Sequence, residues 1–228
     1  MCIRDSLAAC VGLGIDAGHL LAASVMSAPA ALVCAKMMYP EVEESETKGD
    51  LNISLKSDYA NVFDAASTGA SEGMKLAINV GAMLIAFIAL IALINGGLGW
   101  LGSLFNMNDL SLEFILSYLF SPVAFLLGVP WSDCLEVGNL LGKKLILNEF
   151  VAYLDLQSQL DTLSPRAIII STYALCGFAN FSSVGIQLGG IGTLVPKRTK
   201  DLARLGVPSL VAGTFACLMT ACIAGILV

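Results

Sequence analysis

Long stretches without charged residues constrain this chain more than any other feature of its sequence. Residues 167–196 and 207–228 contain no Asp, Glu, Lys or Arg, and residues 20–38 and 76–94 are also mostly apolar. A helix needs about 20 predominantly apolar residues to cross a bilayer. Only 13% of the 228 residues are charged, which is about half the usual share in a soluble domain. The sequence therefore predicts an all-α integral membrane protein that crosses the bilayer several times.

Composition and motifs argue against several other functions. A net charge of -6 without a long basic cluster argues against nucleic-acid binding. The seven cysteines show no CxxC spacing and are predicted to be buried thiols rather than disulfides or metal ligands. The sequence has no P-loop, HExxH or GxSxG motif, so ATP-driven transport and common hydrolase chemistry have no support. We therefore expect no enzyme activity, no catalytic residues and no metal-binding residues.

The distribution of lysine and arginine predicts how the chain lies in the bilayer. Basic residues are concentrated in two connections, with Lys36, Lys48, Lys56 and Lys75 in one and Lys197, Arg198, Lys200 and Arg204 in the other. Short connections rich in basic residues lie on the cytoplasmic side of a membrane. Residues 129–156, which lie between these two connections, are then expected to enter the bilayer from the outside.

Residues 129–156 combine apolar segments with six charged residues, a density that does not suit a helix facing lipid. A re-entrant hairpin buried against other parts of the protein is compatible with both properties. Within KLILNEFVAYL (residues 144–154), Glu149 has two interpretations. It is either a carboxylate at a helix end, paired with Lys143 or Lys144 or simply at the membrane interface, or a substrate or ion ligand at the tip of the hairpin.

The uncharged segment 167–196 predicts a discontinuous helix. Its middle, CGFANFSS (residues 176–183), combines glycine, asparagine and serine, which weaken a helix and free backbone groups that need a cavity or a protein partner. Transporters build binding sites near the bilayer midplane from such broken helices. The alternative is close packing of small residues between helices, and this segment alone does not decide between the two.

Five blocks of the sequence, taken in order, resemble the concentrative nucleoside transporters. They are HLLAASVMSAPAAL (residues 19–32), NVFDAASTGASEGMKLAINVGAMLIAFIALIALIN (61–95), FSPVAFLLGVPW (120–131), GKKLILNEFVAYL (142–154) and ALCGFANFSSVGIQLGGIG (174–192). The resemblance implies scaffold helices and a transport domain of two inverted repeats, each with a re-entrant hairpin and a discontinuous helix. It divides the chain into a non-native leader (1–6), the end of the first repeat (7–38), a cytoplasmic loop (39–60), a scaffold transmembrane helix (61–103), an interfacial helix (104–128) and the second repeat (129–228).

The resemblance also implies the substrate ligands. Glu149 in the NEF motif would accept hydrogen bonds from ribose hydroxyls, with Asn148 beside it as a lesser candidate. Asn180 and Ser183 in the GFANFSS motif would also bind the ribose, and Phe178 would pack against the nucleoside. A carboxylate acceptor beside an amide suits a ribose diol, and a buried polar site discriminates strongly against analogues that lack a hydroxyl.

The function implied by the resemblance is cation-coupled nucleoside uptake by alternating access in the bacterial inner membrane. Sodium is the implied coupling ion, no other cofactor is expected, and the complete protein is expected to be a homotrimer in the lipid bilayer. The family's first hairpin, its base-reading motif and most of its cation site have no counterpart here, so we expect an N-terminally incomplete transporter. A channel or pore for small polar solutes is the alternative, and uptake against a gradient would separate the two.

Overall fold

The computed structural model describes residues 10–42, 60–105 and 110–228. In these ranges the chain forms helices and no strand: α1 Ala17–Met38, α2 Val62–Leu104, α3 Leu112–Leu126, α4 Cys134–Ile146, α5 Glu149–Ser158, α6 Pro165–Leu175, α7 Phe181–Leu194 and α8 Thr199–Leu227. Short 3-10 turns precede α4 (Trp131–Asp133) and α8 (Pro196–Arg198). The predicted all-α fold is confirmed. The predicted leader and most of the predicted loop at 39–60 lie outside the described residues.

Among the described residues, two helical stretches are long and apolar enough to cross a membrane, judged by length and composition. They are Ala17–Met38, with a mean hydropathy of 1.7, and Pro196–Leu227, with a mean hydropathy of 2.2. These helices correspond to the predicted spans 20–38 and 207–228. The third predicted span, 76–94, lies within α2, whose 43 residues make a helix about 65 Å long.

Large apolar side chains on these three helices are exposed. Val25 of α1 is 75% exposed, Leu93 of α2 is 72% exposed and Ile226 of α8 is 83% exposed. A soluble monomer rarely exposes apolar surface of this extent. The exposed faces are therefore suited to contact with lipid or with further membrane helices.

The core lies where α4, α5 and α6 pack together. Leu140, Leu156 and Ile170, one from each helix, are fully buried, and they belong to one apolar cluster that also takes residues from α1 and α8. Between helices in a bilayer, close packing and dispersion stabilise such a core, because lipid tails are as apolar as the side chains themselves.

Two glycines on α4 allow α3 to approach closely. A methyl group at Gly138 would collide with the Ser117 carbonyl oxygen and come within 2.9 Å of the Ser121 nitrogen. A methyl group at Gly142 would come within 3.0 Å of the Leu116 Cβ atom. Glycines four residues apart share one face of a helix and permit backbone contact between helices. This contact holds α4 against α3 along the predicted interfacial segment.

The helices α4 and α5 form a hairpin with a short tip. The Asn148 Oδ1 atom accepts a hydrogen bond from the Val151 nitrogen at 2.9 Å, an N-cap that starts α5. An ion pair of 2.6 Å between Lys143 and Asp155 joins the two legs. The hairpin predicted within residues 129–156 is thus formed by α4 and α5, and its re-entry into the bilayer stays a prediction.

The helices α6 and α7 are two parts of one broken helix. The discontinuity predicted in residues 167–196 is confirmed, because residues 176–180 separate α6 from α7. Gly177 within the break has a φ of 155°, and a methyl group there would lie 2.5 Å from the Cys217 Sγ atom. Both the backbone conformation and the lack of space require glycine at this position.

Candidate substrate site at the helix break

The hairpin tip and the helix break meet through a buried carboxylate and a buried amide. Glu149, in the first turn of α5, is 7% exposed, and Asn180, the N-cap of α7, is 1% exposed. The Asn180 Nδ2 atom donates a hydrogen bond to the Glu149 Oε2 atom at 3.0 Å. Hydrogen bonds to ionised groups are roughly twice as strong as those between neutral groups. This contact therefore ties together two elements that are distant in the sequence.

Asn180 and Ser183 form a capping box at the start of α7. The Ser183 nitrogen donates to the Asn180 Oδ1 atom at 2.6 Å, and the Asn180 nitrogen donates to the Ser183 Oγ atom at 3.4 Å. The Ser183 hydroxyl also lies 2.9 Å from the Phe178 carbonyl oxygen. The box engages the amide oxygen of Asn180 and thereby turns the amide nitrogen toward Glu149.

Ser182 makes a second link between the break and the hairpin tip. Its hydroxyl is 3.3 Å from the Leu147 carbonyl oxygen and donates to it, and the residue is 4% exposed. Ser182 was not among the predicted ligands, although it lies in the same GFANFSS motif as Asn180 and Ser183. The pair of serines in the motif was the sequence feature that could have indicated this contact. Which serine contacts the hairpin depends on the rotation of α7, and the motif does not specify that rotation.

Phe178 borders a cavity of about 200 Å³ beside the break. The other walls come from α1, with Ser24 and Ser27, and from α8, with Gly213 and Cys217. The Phe178 side chain is 42% exposed, so its ring has an open face. An open aromatic face suits stacking of a planar base, which is tolerant of base identity.

Comparison with known proteins identifies the family. A family model described as "Na+ dependent nucleoside transporter C-terminus" matches residues 19–225. The chain belongs to this transporter family. It is 51% identical over 217 residues to the "Uncharacterized transporter YutK" of Bacillus subtilis, covering 95% of this chain and 54% of that protein. It is 47% identical over 237 residues to the mouse "Sodium/nucleoside cotransporter 1", covering 97% of this chain and 37% of that protein.

Solved structures of the transporter CNTnw have the same fold. A doubly substituted CNTnw in an outward-facing state matches with a TM-score of 0.87 at 44% identity, covering 97% of this chain and 53% of that one. CNTnw in an inward-facing substrate-bound state matches with a TM-score of 0.73 at 44% identity, covering 96% of this chain and 52% of that one. The chain thus spans about half the length of these structures, and about half or less of the curated relatives.

The structure brings most of the predicted ligands of the family motif together. Glu149, Asn180 and Ser183 form one hydrogen-bonded set, and Phe178 lies within the same break. The Asn148 side chain instead caps α5 through the Val151 nitrogen and thereby holds the helix turn that carries Glu149. A ligand role for Asn148, as for the other four residues, stays a prediction.

The two lysines proposed as partners of Glu149 are engaged elsewhere. Lys143 pairs with Asp155 at 2.6 Å, and the Lys144 ammonium donates to the Ala174 carbonyl oxygen at 2.8 Å. Glu149 accepts a hydrogen bond from Asn180, and its role as a ligand at the hairpin tip stays a prediction.

Side chains that typically bind metals are dispersed in this part of the transporter. Within residues 10–42, 60–105 and 110–228, no group of three or more His, Cys, Asp or Glu side chains could hold a metal ion. Five of the described cysteines are buried thiols, as predicted: Cys10, Cys34, Cys134, Cys176 and Cys217. Cys222 is exposed on α8, so the prediction of a buried thiol was wrong for this residue. The polar chemistry available at the break is thus hydrogen bonding and charge, through carboxylate, amide, hydroxyl and backbone groups.

Proposed function

We propose that the protein containing this chain is a sodium-coupled nucleoside transporter, and that the nucleoside binds between the hairpin tip and the helix break. The observation that carries this proposal is the buried hydrogen bond of 3.0 Å between Asn180 and Glu149. Family membership supports the class of substrate, because relatives carry the name sodium/nucleoside cotransporter.

The chemistry of the pair suits the two adjacent hydroxyls of a ribose. The Glu149 carboxylate accepts hydrogen bonds from hydroxyl groups, and the Asn180 amide donates one to a hydroxyl oxygen. A diol entering here exchanges the direct amide–carboxylate bond for hydrogen bonds to the sugar. Because both residues are almost fully buried, an analogue that lacks one hydroxyl leaves a polar group without a partner, which costs affinity.

Alternating access requires that the ligand-binding elements move together. Two hydrogen bonds, Glu149 to Asn180 and Ser182 to Leu147, join the hairpin tip to α7. Lys144 joins the hairpin to α6. We infer that the hairpin and the broken helix move as one body across the membrane. The TM-score is 0.87 against the outward-facing CNTnw and 0.73 against the inward-facing substrate-bound form, so this arrangement is more similar to the outward-facing state.

The names of the relatives support a sodium-coupled transporter in a membrane. We propose sodium as the coupling ion, with most of its ligands in parts of the relatives that this chain does not cover. We further propose a homotrimer in the bacterial inner membrane, without another cofactor and without nucleic-acid binding.

Uptake measurements test the function directly. The protein, expressed from its native reading frame in cells that lack nucleoside carriers, is expected to accumulate radiolabelled uridine or adenosine above the external concentration. Replacement of sodium by N-methylglucamine is expected to abolish accumulation. Uptake that stops at the external concentration would indicate a channel instead. Accumulation that does not depend on sodium would exclude sodium coupling. A lack of uptake for every nucleoside would refute nucleosides as the substrate class.

A further inference from the structure

A cavity of about 720 Å³ lies where the end of α1 meets the start of α8. Lys36 and residues that follow α1, including Tyr39 and Val42, form one wall, and Arg204 and Leu205 of α8 form another. Sites for small molecules typically have volumes of about 300–1,000 Å³. The described residues that line this cavity all lie outside the hairpin and the helix break, so the proposed substrate site does not account for it.

The cavity lies at the level where two apolar helices end. Both α1 and α8 belong to described stretches that are long and apolar enough to cross a bilayer, and they pack together through Ala30, Cys34, Ala212 and Ala216. The carboxyl end of α1 and the amino end of α8 both line the cavity, so we expect lipid headgroups at this level. The lysines and arginines of the two connections predict that this is the cytoplasmic side.

Basic side chains outnumber acidic ones in the lining of the cavity. Lys36 pairs with Glu41 at 2.8 Å, and Arg198 pairs with Asp201 at 2.5 Å. Both pairs are exposed, and such pairs contribute so little that either cation can turn to another anion at small cost. Arg204 is exposed, and in the described part of the chain its guanidinium makes no ion pair. The cavity therefore contains a positive charge that no carboxylate of its lining balances.

Exposed apolar side chains border the same cavity. Tyr39 is 60% exposed and Val42 is 90% exposed. Tyrosine is enriched where a membrane meets water, because its ring is apolar and its hydroxyl is polar. A free phosphate ion would leave these side chains in water, whereas the glycerol and first acyl carbons of a phospholipid would cover them. The lining therefore favours a phospholipid over a free phosphate ion.

We propose that this cavity binds the headgroup of an anionic phospholipid, with the Arg204 guanidinium as the main contact of the phosphate. A guanidinium matches the geometry of a phosphate and can donate two parallel hydrogen bonds to it. Basic pockets between membrane helices on the cytoplasmic side are suited to anionic headgroups. A zwitterionic lipid carries its own ammonium group, which the unbalanced charge of Arg204 disfavours. The inference concerns the lipid around the protein and holds whatever the transported solute is.

Thermal unfolding of the purified protein in detergent micelles with added lipid tests this inference. We expect phosphatidylglycerol to raise the melting temperature by about 2 °C or more above the value in the same amount of phosphatidylcholine. Inorganic phosphate and glycerol 3-phosphate at the same ionic strength should not reproduce this rise. An equal response to the two lipids would overturn the proposal. An equal rise with inorganic phosphate would overturn the assignment to a lipid.

Arg204→Gln should lose most of the difference between the two lipids. Its melting temperature without lipid should equal that of the unaltered protein, because the side chain is exposed and makes no ion pair among the described residues. Lys75→Gln is the matched control, since Lys75 is exposed on α2, is predicted to lie on the same side of the membrane and does not line the cavity. An equal loss in the two variants would show attraction by the total basic charge and overturn the site.

Native mass spectrometry provides a second measurement, which counts the lipids that stay bound. We expect Arg204→Gln to retain phosphatidylglycerol about fivefold more weakly than the unaltered protein, because one basic side chain near the headgroup is lost. Arg204→Lys should recover part of this affinity, since it keeps the charge without the planar donors. Equal retention by the unaltered protein and Arg204→Gln would overturn the proposal, and it would leave the proposed nucleoside transport unaffected.

Discussion

The Glu149 carboxylate lies between the amino ends of two helices. It is in the first turn of α5 and accepts a hydrogen bond from the N-cap residue of α7. The amino end of a helix carries a partial positive charge that favours a carboxylate. This arrangement stabilises a negative charge at low solvent exposure and leaves it beside a donor that a ligand hydroxyl can replace.

Substitution of this carboxylate tests its proposed role in substrate binding. We expect Glu149→Gln to weaken nucleoside binding by about tenfold or more, because an ionised hydrogen-bond acceptor is replaced by a neutral one. Isothermal titration of the purified protein with uridine measures the effect. Glu136→Gln is the matched control, since it makes the same chemical change at an exposed position of the hairpin. Equal affinities for the two variants would contradict the assignment.

The contact between α3 and α4 joins the backbones of two helices and does not involve a polar site. Gly138 and Gly142 lie on one face of α4 and bring its backbone close to that of α3. Such contacts require the absence of a side chain at both glycines. This packing positions the hairpin independently of any ligand.

A single methyl group at this interface is expected to be destabilising. Gly138→Ala should lower the free energy of unfolding by about 1–3 kcal/mol, because the added carbon collides with the backbone at Ser117 and Ser121. Thermal unfolding in detergent micelles measures the change. Gly73→Ala provides a control of opposite sign, since an added methyl group there meets no atom within 4 Å and alanine favours a helix by about 1 kcal/mol over glycine. A neutral or stabilising Gly138→Ala would show that the two helices can separate freely.

Arg166 joins three parts of the molecule at the start of α6. Its Nε atom donates to the Gly128 carbonyl oxygen at 2.7 Å, and an Nη atom donates to the Gly225 carbonyl oxygen at 2.6 Å. Gly128 follows α3 with a φ of 95°, and Gly225 lies near the end of α8. One planar guanidinium therefore holds the end of α3, the start of α6 and the end of α8 together.

Replacement of this guanidinium tests the three-way connection. Arg166→Lys should lower the melting temperature by about 2–4 °C, because an ammonium group cannot donate to both carbonyls in the same planar geometry. Arg198→Lys is the control, since Arg198 pairs with Asp201 at an exposed position where such pairs contribute little. Equal melting temperatures for the two variants would contradict a connecting role for Arg166.

Local sequence determined the elements of this protein. Uncharged length predicted the long helices, because a bilayer admits apolar helices of about 20 residues. Glycine, asparagine and serine predicted the break at residues 176–180, because these residues favour caps and turns over the interior of a helix. The family motifs selected Glu149, Asn180 and Ser183, which the structure places in one hydrogen-bonded set.

Tertiary packing decided which partner each polar side chain meets. Lys143 and Lys144 are neighbours in the sequence, yet one pairs with Asp155 and the other is buried against Ala174. Successive residues of a helix point about 100° apart, so the rotation of α4 against α6 determines which lysine is buried. That rotation follows from contacts such as those of Gly138 and from segments about thirty positions away, which no local pattern contains.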